Sequence, residues 1–170
     1  DKLGVNSGRR FSGLSGYKKL IDSGVEAVAL ETPPYFFPQH AERAVQAGLH
    51  VYMAKPVAVD VPGSMTILQA GKKSSKNKRV FFVDYQMPTD PNNIKAVKAV
   101  HNGLIGPIAQ VATFGIGGAF ADNPKTENIE SRLQKLVWVN DIALGCDYIG
   151  NFDIHAIDVA LWAIGQRPVS

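Results

Sequence analysis

The chain contains one cysteine, Cys146, among 170 residues. An internal disulfide is therefore excluded, and so is a zinc site built from several cysteines; we expect no metal. One cysteine fits a reducing compartment, and we expect the protein in the cytoplasm, with an export signal ahead of residue 1 left open. No apolar run approaches the roughly 20 residues that cross a bilayer, so we expect no membrane role.

A strong excess of charge is also missing, because the formal net charge is only +3. Much of it comes from the run Lys72–Arg79, which reads Lys-Lys-Ser-Ser-Lys-Asn-Lys-Arg. Such a run is typical either of a phosphate-binding patch or of a solvated helix end. No aromatic residue interrupts the cations, so we interpret the run as a helix end and expect no nucleic-acid partner.

The sequence lacks a strand followed by G-x-G-x-x-G near its start, and it does not begin with Met. A dinucleotide-binding fold needs a phosphate-binding turn at its first strand. Two interpretations follow from the residues alone: the protein has no such turn, or its first βαβ unit lies upstream of Asp1.

The most informative segment that is present runs from residue 25 to residue 56. An apolar stretch at 25–30 leads into Thr32-Pro33-Pro34, a helical pattern follows at 38–47, and His50–Met53 reads as a second strand. Strand, helix and strand in this order predict a parallel βαβ unit, whose ligands bind beyond the carboxyl ends of the strands. Lys55, directly before Pro56, is the one charged residue between Tyr52 and Asp60 and stands at such an end.

The remaining pattern predicts further helices and strands on either side of a hinge. A helix at 62–73 is expected to turn Met65, Leu68 and Gly71 inward, and a strand at 80–83 to be buried on both faces. Proline-rich residues 84–91 predict the hinge. The elements expected after it are a helix at 92–102, a strand at 108–114 and a helix at 151–164.

Polar side chains recur on the last predicted helix, where Asn151, His155 and Asp158 are spaced to share one face. From spacing alone the structural reading is preferred: Asn151 caps the helix and Asp158 pairs with a core histidine. Asp153 would point elsewhere on a helix but would share a face with His155 if the segment before Ile154 were extended.

Four motifs in order resemble the glucose-fructose oxidoreductase / inositol 2-dehydrogenase / MocA family. Its members carry T-P-P or T-P-N, a helix with an early His, A-G-K-H-V, and E-K-P. This chain reads Thr32-Pro33-Pro34, then His40, Ala47-Gly48-Leu49-His50-Val51 and Ala54-Lys55-Pro56. Residues 102–106 are similar to the family's G-x-I-G turn, and residues 145–168 to its segment around a conserved His.

The resemblance implies an α/β fold: the second half of a Rossmann-type nucleotide-binding domain at 1–86, followed at 87–170 by the start of an α+β substrate and dimerisation domain. It favours a first βαβ unit upstream of Asp1, and it implies a homo-oligomer formed through a later sheet. We expect the 170 residues alone to be inactive. The cofactor implied is NAD or NADP, since the residue that selects between them would precede Asp1.

The resemblance also assigns roles to single residues. It implies that Lys55 and His155 handle a hydroxyl proton and contact the substrate, and that Asn151 orients the substrate where many members have a catalytic Asp. The cofactor would contact a set of residues around the strand ends: Thr32, Pro33, Pro34, His40, Lys55, Pro56 and Gln86. His40 could equally only begin its helix.

Together these features predict an NAD(P)-dependent dehydrogenase that transfers a hydride between a nicotinamide and a secondary alcohol or ketone of a sugar, polyol or related cyclic substrate. The alternative is a non-catalytic dinucleotide sensor or inactive paralogue. Two departures from the family motifs motivate it: Ala54 replaces a Glu and Asn151 replaces an Asp.

Overall fold

The computed structural model describes residues 4–115, 120 and 138–168. The chain divides into two compact units, of which the first ends at Asp84 and the second begins at Tyr85. Each unit is described by itself below.

The first unit is built on a three-stranded parallel sheet in the order β1-β2-β3. Its strands are β1 (Ala27–Leu30), β2 (His50–Met53) and β3 (Phe81–Val83). Its helices are α1 (Gly16–Ile21), α2 (Phe37–Gln46) and α3 (Val61–Lys76). Ala29 pairs with Tyr52 and Tyr52 with Phe82, so the three strands end side by side. The predicted parallel βαβ arrangement is confirmed.

Local sequence signals set where the two long helices begin and where α2 ends. Pro38 lies in the first turn of α2, where its fixed φ suits a helix and its missing N–H costs no hydrogen bond. Asp60 is the N-cap of α3, and its Oδ1 accepts a hydrogen bond from the backbone N–H of Gly63 at 2.7 Å. Gly48 after α2 has a φ of +75°, a conformation that glycine adopts without strain.

The core of the first unit lies between one sheet face and helices α2 and α3. Every second strand residue enters it, and the buried apolar side chains are Ile21, Val28, Leu30, Phe37, Ala41, Ala44, Val45, Leu49, Val51, Met53, Ile67 and Ala70. The opposite sheet face is exposed in this unit: Tyr52 is 40% and Phe82 46% accessible. The prediction that the strand at 80–83 is buried on both faces is therefore wrong, because both long helices pack on the same side.

Helix α3 also presents a different face to the core from the one predicted. Met65 is 50% and Leu68 48% exposed, whereas Ile67 and Ala70 are buried. The helix carries two apolar stripes. The one that packs is rich in small residues, and a small side chain lets a helix approach its neighbours closely. The prediction that Met65 and Leu68 face inward is therefore wrong.

The second unit is helical over the residues described. Its helices are α4 (Pro91–His101), the short α5 (Ile142–Gly145) and α6 (Ile154–Ile164). Asp90 caps α4 by accepting hydrogen bonds from the backbone N–H groups of Asn92 and Asn93 at 2.8 and 3.1 Å. His101 Nε2 lies 3.0 Å from the carbonyl oxygen of Trp162, which ties α4 to the end of α6.

Two predictions for the second unit are wrong. Residues 108–114 do not form a strand, and no strand of the described part of this unit pairs with them. The helix predicted from Asn151 starts instead as a π-turn, Ile149–Asp153, which passes into α6 at Ile154. Its predicted end is confirmed at Gly165, whose φ is +71°.

Candidate functional site

The carboxyl edge of the parallel sheet gathers three charged residues. Glu31 follows β1, Lys55 lies two residues beyond β2, and Asp84 follows β3. The ladder continues past the strands: Ala54 N–H donates to the Leu30 carbonyl at 3.1 Å, and Asp84 N–H donates to the Met53 carbonyl at 2.9 Å. Backbone hydrogen bonds therefore fix the residues just beyond the strand ends as well as the strands themselves.

Lys55 is half-buried, and its peptide bond to the buried Pro56 is cis. Burial lowers the pKa of the Lys55 ammonium, and the Asp84 carboxylate opposes this by favouring the charged form. A lysine whose pKa is lowered is better suited to exchange a proton near neutral pH than an exposed one.

Thr32 and His40 come together on the α2 side of the same edge. Thr32 Oγ1 lies 3.4 Å from His40 Nδ1, and His40 is only 6% exposed. The imidazole is held between Tyr17, with ring centroids 4.0 Å apart, and Phe36, at 5.8 Å. Burial lowers the His40 pKa, so the ring favours its neutral form.

A cavity of about 340 Å³ opens beside this histidine. Thr32, Pro33 and His40 line it, with Tyr17 on one wall and Arg9 contributing a positive charge. Pro34 is buried and starts the 3₁₀ turn Pro34–Phe36 that leads into α2. The cavity thus combines aromatic faces, a hydroxyl and a cation, a set that suits a ring with an attached phosphate or ribose.

A second cavity of about 530 Å³ lies within the second unit. Asp153 and His155 line it, together with Phe114 and Tyr148. Asp153 Oδ1 is buried and finds no hydrogen-bond partner among the described residues, although buried polar atoms are nearly always paired. Gly115 packs directly against this oxygen, and any Cβ there would collide with it.

Asp153, and not Asn151, lines the cavity together with His155. Asn151 and Asp153 both belong to the π-turn Ile149–Asp153, where the sequence predicted regular α-helix. Asn151 is 6% exposed and does not line the cavity. The shared face predicted for Asn151, His155 and Asp158 stays a prediction.

Asp158 interacts electrostatically with His155 on the same helix. Burial raises the Asp158 pKa, and the neighbouring His155 opposes that change by lowering it.

Gln86 is exposed, and its backbone carbonyl caps the 3₁₀ turn Met87–Thr89 by accepting from Thr89 N–H at 2.9 Å.

Sequence reasoning passed over Asp84 and Tyr52. The signal that identified Lys55, a charged residue just past an apolar strand, applies equally to Asp84 after Phe81–Val83.

In the described part of the chain no three His, Cys, Asp or Glu side chains come together as metal ligands. None of the helices described there has the length and hydropathy needed to cross a membrane.

Comparison with known proteins identifies the relatives of the chain, although no family model matches it. Levoglucosan dehydrogenase of Pseudarthrobacter phenanthrenivorans is 26% identical over 169 residues, 97% of this chain and 40% of that protein. Inositol 2-dehydrogenase of Rhizobium meliloti is 25% identical over 146 residues, 86% of this chain and 38% of that one. Aldose-aldose oxidoreductase of Caulobacter crescentus, solved with glycerol, superposes with a TM-score of 0.72 at 27% identity, covering 99% and 46% of the two chains.

A more distant structure shares the fold of the chain. WlbA dehydrogenase of Bordetella pertussis, solved with NADH and UDP-GlcNAcA, superposes with a TM-score of 0.65 at 24% identity over 91% of this chain and 40% of that one, and shows a shared fold. The chain is a relative of the glucose-fructose oxidoreductase / inositol 2-dehydrogenase / MocA oxidoreductases, as its motifs predicted. It spans about two fifths of the length of the curated relatives it matches.

Proposed function

We propose that the chain is part of an NAD(P)-dependent oxidoreductase acting on a secondary alcohol or ketone of a sugar, polyol or related cyclic compound. The observation that carries the proposal is Lys55: a half-buried lysine with a lowered pKa at the carboxyl edge of a parallel sheet. The relatives support the substrate class, since they include dehydrogenases of levoglucosan and inositol and an aldose-aldose oxidoreductase.

The residues around Thr32 fit a nicotinamide dinucleotide. The cavity lined by Thr32, Pro33 and His40 offers a hydroxyl and ring faces, and Arg9 supplies charge for a phosphate. Pro34 and Pro56 are buried and make the two neighbouring turns rigid. Gln86 is the exposed polar side chain assigned to the nicotinamide end. When bound, the nicotinamide supplies the hydride chemistry, and the protein supplies position and electrostatics.

Proton handling falls to Lys55 from the first unit and His155 from the second. In the reduction direction the Lys55 ammonium would donate a proton to the ketone oxygen, and in the oxidation direction the neutral amine would take up the proton of the hydroxyl. His155 would hold the substrate hydroxyl, with Asp153 lining the same cavity and Asp158 acting on the imidazole through its charge. Asn151 is assigned to substrate orientation, because an amide can bond a hydroxyl but cannot act as a base.

Turnover tests the assignment of Lys55 in the whole protein that contains this chain. Levoglucosan, myo-inositol and aldoses would be assayed with NAD and with NADP, following absorbance of the reduced cofactor. Lys55→Met should lower turnover by about 10²–10⁴-fold, the usual contribution of a positioned acid or base, while dinucleotide affinity by calorimetry stays near wild type. Lys72→Met, which removes an exposed lysine of α3, is the matched control and should change neither. Wild-type turnover in Lys55→Met would refute the assignment.

The second candidate is a dinucleotide-binding sensor without catalysis, which Ala54 and Asn151 favour because both depart from the family motifs. Calorimetry separates the candidates. Binding of NAD or NADP without turnover of any substrate in the panel supports the sensor, whereas failure to bind either dinucleotide at millimolar concentration refutes both.

A further inference from the structure

On the sheet face away from α2 and α3, the side chains of Glu31, Tyr52 and Asp84 lie at or near the carboxyl edge. Along a strand, alternate residues share a face. Ala29, Tyr52 and Phe82 are paired across the three strands, and all are exposed on this face. Two residues further along, Glu31 and Asp84 fall on the same side, and Asp84 stays in the ladder through its bond to the Met53 carbonyl.

Tyr52 is fixed so that its hydroxyl reaches this edge. Its ring stacks on Phe82 with centroids 5.8 Å apart and planes at 19°. The hydroxyl donates a hydrogen bond to the Asp84 carboxylate, and this bond together with the negative charge of Asp84 raises the Tyr52 pKa. Glu31 adds a smaller effect in the same direction from the other side.

Asp84 therefore has two partners. It accepts from the Tyr52 hydroxyl and it acts on the Lys55 ammonium, whereas Glu31 acts on Tyr52 but is not a cause of the shift at Lys55. The two carboxylates occupy equivalent places, each directly after a strand adjacent to β2. Asp84 is the carboxylate whose charge favours the protonated form of Lys55.

We propose that Asp84 is a positioning residue for Lys55, held by the Tyr52 hydroxyl, so that the three side chains act as one unit at the carboxyl edge of the sheet. The proposal rests on the proton-transfer role proposed above for Lys55. Asp84 draws the ammonium to the edge and keeps it protonated against the burial that favours the neutral amine. Tyr52 keeps the carboxylate from turning into solvent.

A titration of Lys55 itself tests the proposal without cofactor or substrate. Lysines of the whole protein would be dimethylated with ¹³C-formaldehyde, and the Lys55 resonance assigned by its loss in Lys55→Arg. Asp84→Asn should lower the Lys55 pKa by about 1 unit, the low end of the effect of one neighbouring charge. Tyr52→Phe should lower it by less, because the carboxylate remains but is no longer held. Both changes are close to isosteric, and circular dichroism would check that each variant folds.

Glu31→Gln is the matched control, since it removes the equivalent carboxylate from the opposite neighbouring strand. It should leave the Lys55 pKa within about 0.3 units of wild type, because Asp84 is the carboxylate whose charge raises the Lys55 pKa. Equal shifts of the Lys55 pKa in Asp84→Asn and Glu31→Gln would show that the lysine responds to any negative charge at this edge, and would overturn the proposal. An unchanged Lys55 pKa in Asp84→Asn would overturn it as well. Failure of dinucleotide binding would refute the proposed function but leave this titration valid.

Discussion

Ile67 and Leu68 offer the sharpest test of how the first unit packs. They are adjacent aliphatic residues on α3, yet Ile67 is 5% exposed within the core and Leu68 is 48% exposed. Truncating a buried Ile to Ala removes its transfer free energy and leaves a cavity, at a cost of about 2–5 kcal/mol. Truncating a half-exposed Leu loses about half of the roughly 1.5–3 kcal/mol that full burial is worth, partly offset by the better helix propensity of Ala.

We therefore expect Ile67→Ala to lower the free energy of unfolding by about 2–5 kcal/mol and Leu68→Ala by about 1 kcal/mol or less. Urea titrations of the whole protein, followed by far-UV circular dichroism, measure both. A loss in Leu68→Ala as large as that in Ile67→Ala would mean that the outer stripe of α3 is covered, and would refute the packing described here.

Two further predictions concern the elements that flank the site. Burial lowers the His40 pKa below its ordinary value of 6.5, so the free energy of unfolding should be highest above that pH and should fall as the pH drops below it. His40→Gln should reduce this pH dependence, and urea titrations between pH 8 and 5.5 would measure it. Asp60→Ala should cost about 0.5–2 kcal/mol by removing the cap that accepts from Gly63 N–H, measured the same way; a cost near zero would mean that water satisfies the N–H equally well.

The parallel sheet and its functional edge were predictable from local pattern. His50–Met53 is a short apolar run between Gly48 and Lys55-Pro56, both strong boundaries, and the strand forms over the residues predicted. The same logic located Lys55 at a strand end. What the pattern did not contain was the side-chain environment: the pairing of Tyr52 with Asp84 depends on the register of β2 with β3, which no single segment encodes.

The faces of two helices were not predictable, each for a different reason. On α3, two apolar stripes compete, and the choice between Ile67 and Leu68 is made by packing against α2 and the sheet. Before α6, a π-turn forms at 149–153, and a helical periodicity assumes a constant turn, so the π-turn was not predicted. Asp153 thus lines the cavity of His155 although the α-helical pattern pointed it elsewhere.

The enzyme and the sensor interpretations weigh the two departures from the family motifs differently. Ala54 and Asn151 each remove an acidic group, which favours the sensor. Yet each of the two residues proposed to handle the proton has a carboxylate nearby that those motifs do not include. Asp84 acts on Lys55, and Asp153 lines the cavity of His155 with a buried oxygen that has no partner among the described residues. A buried carboxylate oxygen without a partner is costly to keep in a protein that only binds. This replacement of lost acids by others at the same two places supports the catalytic proposal over the sensor.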